Sequence, residues 1–88
     1  MRLKEIDKCV IIKLKEWLRQ DGVNFFKEIK EKYGEVDAVY MDGGIPHPVH
    51  LREGMQVRNF LRKLPECKNW NDIDFDDNWV AIIEEVIK

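Results

Sequence analysis

Arg52, Gln56, Arg58, Asn59, Arg62 and Lys63 come nearest to a recognition chemistry in this chain. If residues 52 to 64 form a helix, a rotation of about 100° per residue gathers these six on the arc opposite Phe60 and Leu61. Arginine, glutamine and asparagine can make paired hydrogen bonds to base edges. Arginine and lysine neutralise phosphates. The same row also suits an acidic face on another protein, or simply a solvated outer surface. A helix-turn-helix is not supported, because an extended segment and not a short turn precedes this helix.

Asp42, His47 and His50 form a second group. A carboxylate, two imidazoles and the backbone amides of Gly43 and Gly44 are raw material for an acid–base, anion or metal site. Spacing opposes the metal. Three residues of extended chain cover roughly 9–10 Å, whereas ligand atoms must lie about 2 Å from a zinc ion. No metal ligands are therefore expected. Asp42-Gly43-Gly44 is also what a tight turn needs, since glycine accepts positive φ without penalty. Asp72-Ile73-Asp74-Phe75-Asp76-Asp77 begins like a calcium loop and then departs from it. Asp77 stands where glycine is required, and Ile83 stands where the bidentate glutamate belongs. Capping of a following helix explains these aspartates better. No phosphate-binding glycine loop or nucleophile elbow is present, and no cofactor is implied.

Cys9 and Cys67 are too few for a disulfide-stapled secreted domain, so reduced thiols in the cytoplasm are expected. Cys9, beside Val10 on an apolar stripe, reads as a small buried hydrophobe. Cys67, in a polar stretch, reads as the more exposed thiol. The charged start, Met1 to Glu5, is followed by no apolar segment resembling a leader, and no run is long enough to span a membrane.

The elements that must position these residues follow from apolar periodicity. Ile6, Val10, Leu14, Trp17 and Leu18 recur at helical spacing over residues 4 to 20, and Gly22 is a natural stop. Phe25 or Phe26, Ile29 and Tyr33 mark a second helix over residues 23 to 33, ended by Gly34 and folded back as a helical hairpin. From Val36 the pattern becomes β-branched and aromatic. With Asp42-Gly43-Gly44 it predicts a β-hairpin over about 36–50. Pro46 and Pro48, two apart, put their missing donors on one edge. Helical spacing returns over 52 to 64 up to Pro65, and over 76 to 87. The expected fold class is α+β, mainly helical: two N-terminal helices, a short β-hairpin, then two C-terminal helices. Trp17, Ile29, Phe60, Leu61, Trp79, Ile83 and Val86 are the expected core.

At 88 residues the chain is expected to form one small globular domain. A net charge of -2 excludes a case for nucleic acid or membrane based on overall charge. The leading expectation is a small non-enzymatic protein-interaction module, acting with a protein partner or as a homo-oligomer. Nucleic-acid binding through the 52–64 helix is the alternative. A small metal-binding or acid–base site at the 42–50 loop comes third.

Overall fold

The computed structural model describes residues 7–88. Helix α1 spans Lys8–Tyr33, and a two-stranded antiparallel sheet follows, β1 at Val39–Asp42 and β2 at Ile45–Pro48. A 3-10 turn at Val49–Leu51 leads into α2, Glu53–Arg62. A second 3-10 turn, Pro65–Cys67, leads to α3, Asp72–Val86. The expected start of the first helix, including Lys4 and Ile6, lies outside the described residues.

The N-terminal half corrects the expectation of two helices. One helix runs from Lys8 to Tyr33, broken at Arg19, whose backbone stands at φ 63, ψ -179. The apolar pattern explains why a break is needed. Leu14 and Val23 are both buried, yet nine residues of regular helix would set them about 180° apart. The break brings Val10 and Leu14 before it, and Val23, Phe26 and Ile29 after it, onto one core. Gly22 is no stop. It lies inside the helix, where a β-carbon would meet the Leu18 side chain at 3.0 Å. Gly34 does end the helix, at φ 83, with its N–H bonded to the Lys30 carbonyl at 2.8 Å.

The hairpin forms as expected, within narrower limits. Gly43 and Gly44 make a two-residue turn with φ 60 and 80, which suits the twist of paired strands. The register pairs Asp42 with Ile45, Met41 with Pro46, Tyr40 with His47 and Val39 with Pro48. Tyr40 meets the ring of Phe25 edge-on, 5.8 Å between centroids, which docks one face of the hairpin on α1.

Helix α3 begins four residues earlier than expected. Asn71 caps it, accepting from the Asp74 amide at 2.9 Å, while Asp74 accepts from the Asn71 amide at 3.0 Å. The core lies where α3 packs on α1 and α2. Ile29, Leu61, Trp79, Ile83 and Val86 are buried as expected, joined by Leu14, Phe26, Val57 and Ile82. Trp17 is not a core residue: it is 42 % exposed and stacks on the half-buried Phe60 with centroids 4.7 Å apart. The cysteine assignments are reversed, Cys9 being exposed and Cys67 buried. The turn at Pro65–Cys67 tucks Cys67 into the core, and burial pushes its thiol pKa up.

Candidate functional site

Helix α2 and its cap residues Arg52 and Lys63 carry the expected basic row, and α3 claims part of it. Arg58 is not a surface residue. It is 7 % exposed, with its guanidinium 5.7 Å from the Trp79 ring centroid. Its Nε lies 3.2 Å from the Asp76 carboxylate, and its Nη1 donates to the His50 carbonyl at 3.3 Å. The side chain therefore clamps the 3-10 turn to the start of α3. Arg62 lies over Phe75, 5.3 Å from the ring centroid, pairs with Asp72 at 3.2 Å and donates to the Asn59 side chain at 2.8 Å. Two of the four cations thus face aspartates of the same chain. Arg52, Gln56, Asn59 and Lys63 stay exposed. Arg52 reaches the His47 ring Nδ1. Lys63 makes no ion pair among the described residues.

The 42–50 group separates. His47 stacks on Tyr40 at 5.0 Å, and His50 faces Trp79 at 5.7 Å. Asp42 stands exposed at the hairpin tip and bonds to neither histidine. Among the described residues, no three or more His, Cys, Asp or Glu side chains cluster as metal ligands would.

Two features escaped sequence reasoning. The first is the outer side of the hairpin. Hydrogen-bonded and non-bonded pairs alternate along antiparallel strands. The pair flanking the turn, Asp42 and Ile45, is bonded, and Val49 N–H reaches the Ala38 carbonyl at 3.1 Å. Val39 and Met41 therefore turn their amides and carbonyls outward, and among the described residues no backbone partner meets them. On the opposite edge the outward positions are Pro46 and Pro48, which have no donor to offer. Val39 and Met41 are also 53 % and 57 % exposed, on the face turned away from α1. The prolines signalled the blocked edge, but nothing in residues 39 to 42 announced an open one.

The second is a groove of about 290 Å³ between α1 and α2. Trp17, Leu18, Gly22, Phe25 and Phe26 line it from α1, and Glu53, Gln56 and Val57 from α2. Glu53 Oε2 is buried with no hydrogen-bond partner among the described residues. The sequence signal was weak, because Trp17 falls on the apolar stripe and reads as core.

A larger hollow between Lys27, Lys30, Glu84 and Lys88 is shallow, and two of its charges, Lys30 and Glu84, pair at 3.3 Å. No helix among the described residues is long and apolar enough to cross a membrane. No protein-family model, curated protein or solved structure matches this chain.

Proposed function

We propose that this chain is a non-enzymatic protein-interaction module that works by strand addition along β1, in a cytoplasmic setting. The observation that carries this reading is the asymmetry of the hairpin. One edge has outward amides and carbonyls at Val39 and Met41 with no backbone partner among the described residues, while the other is closed by Pro46 and Pro48. Natural sheets usually blunt an open edge with charge, proline or a covering element. Here the open edge carries exposed valine and methionine. An extended segment laid along it gains main-chain hydrogen bonds and apolar contact together.

The occupant the edge fits most directly is β1 of a second copy. Around a twofold axis at Tyr40, the outward groups of Val39 face those of Met41 in the other chain and satisfy them. Such an interface is small and weak, because specific protein interfaces usually bury about 1,200–2,000 Å². Sedimentation equilibrium with amide exchange tests the reading. Concentration-dependent dimerisation should protect the Val39 and Met41 amides. Met41→Pro removes an outward donor without touching the β1–β2 ladder and should abolish both effects. A chain that stays monomeric to about 1 mM, a Kd scale for very weak association, would end the proposal.

The nucleic-acid alternative is less well supported. Arg58 and Arg62 are engaged by Asp76 and Asp72, which leaves Arg52 and Lys63 as outward cations on this face. Two phosphate contacts would give a log–log salt slope of only about -2.

A further inference from the structure

We propose that the groove between α1 and α2 binds an alkylammonium group. This inference is independent of the β1 edge and rests on other residues.

Two observations converge on the groove. The half-exposed Trp17, Phe25 and the buried Phe26 line it, and aromatic faces carry the negative part of a quadrupole. A cation over such a face is attracted, most strongly at tryptophan. Trp17 is 42 % exposed, with Phe60 stacked on it at 4.7 Å, so the indole is held in place while part of it stays open.

Glu53 lines the α2 side; it makes no ion pair among the described residues and has an unpartnered, buried Oε2. Leaving a buried acceptor unsatisfied is costly, more so when it is charged. Nearby cations do not relieve it. Arg52 is turned to His47, and Arg58 to Asp76. The first-turn amides of α2 offer only a partial positive charge. Oε2 itself is out of a groove ligand's reach, but a cation seated between the rings and the carboxylate would lie beside a negative charge that no cation among the described residues pairs, with Gln56 lining the same groove.

The groove's volume, about 290 Å³, lies at the lower end for ligand pockets and suits a short alkyl chain with its ammonium head. Acids and phosphates are disfavoured by Glu53. A neutral apolar ligand would use the rings but not the carboxylate.

The test uses n-butylammonium chloride, with n-butanol as the neutral control and N-acetyl-lysine methylamide as the side-chain form. Binding is read from the Trp17 indole N–H in NMR titrations of the full chain. n-Butylammonium should shift that signal saturably at millimolar concentration, and n-butanol should not. Glu53→Gln keeps the size and removes the charge, and should weaken binding about tenfold, the scale of a charge-assisted contact. Trp17→Ala should weaken it about two- to fivefold, read from neighbouring amides. Gly22→Ala, whose new β-carbon would press on Leu18 at 3.0 Å, should narrow the groove and reduce binding with Glu53 intact. If the lysine amide binds as tightly as n-butylammonium, the natural source is a lysine side chain. If only n-butylammonium binds, the source is a free amine. Equal binding of n-butanol, an unchanged affinity in folded Glu53→Gln, or no shift with either amine overturns the proposal.

Discussion

Gly54 lies flat against the indole of Trp79: a β-carbon at Gly54 would stand 2.7 Å from Cζ2 and 2.8 Å from Cη2 of the ring. The first turn of α2 can approach α3 this closely because position 54 has no side chain. Trp79 is fully buried, with Arg58 and His50 on other sides, so its ring has little room to retreat.

Gly54→Ala should therefore destabilise the protein by about 1–3 kcal/mol, the usual cost of overpacking a core. On an exposed helix the same change would stabilise, by about 0.8–1.0 kcal/mol. The sign of the change in urea unfolding separates the two cases. A gain in stability would mean that Trp79 is not held against α2.

Arg19→Gly should act in the opposite direction. Its φ of 63 with ψ of -179 is strained for any residue with a β-carbon, at about 1–3 kcal/mol. Glycine relieves that strain and loses part of the gain to chain entropy, leaving a net stabilisation of about 0.5–2 kcal/mol. Arg19→Ala should bring no such gain. Were α1 regular at this point, Arg19→Gly would instead cost about 1 kcal/mol in the same urea titration.

The apolar pattern did reveal that residues 8–33 hold two helical phases. It did not show how the phases join. A reversal at Gly22 and a break at Arg19 both realign Leu14 with Val23, and glycine is the residue that ordinarily marks such a point. Gly22 instead makes room for Leu18, a packing role that depends on the bend itself. Trp17 and Trp79 show the same boundary. Both sit on apolar stripes, but only Trp79, on α3, lies where α2 packs over it. The turn at Gly43–Gly44, the stop at Gly34 and the acidic start of α3 were readable because each depends on local chemistry. The pairing of Arg58 with Asp76 and the groove beside Trp17 depend on contacts between distant segments.

The two thiols should differ sharply towards alkylation. Cys9 is exposed, whereas Cys67 is buried and its pKa is raised, chiefly by desolvation and then by nearby Glu66 and Asp7. Mass spectrometry after brief iodoacetamide treatment should find one modified cysteine, Cys9, in the native protein and both after unfolding. Equal labelling of Cys67 in the native state would place the Pro65–Cys67 turn outside the core.

Lys13 and Glu66 join α1 to that turn, with Nζ and Oε2 2.7 Å apart. The hydrogen bond from Lys13 lowers the Glu66 pKa, helped by a backbone hydrogen bond. A carboxylate with a lowered folded pKa stabilises the protein above its unfolded value, near pH about 4.3, and that stability is lost as pH falls through the folded value. Glu66→Gln should thus be less stable than the parent at pH 7, and the two should converge in the acid range below about pH 4. A difference that stays constant from pH 7 to pH 3 would show that the ion pair is not its source.

The two prolines of β2 have a consequence for how this molecule could polymerise. Indefinite β-assembly requires every unit to be divalent, accepting a strand on one side and offering a template on the other. A hairpin with Pro46 and Pro48 facing outward on one edge is monovalent there. In the language of polymer chemistry it is a chain stopper: added to a growing sheet, it can occupy an end but cannot pass growth on. Two such units joined through β1 would have no growing end left.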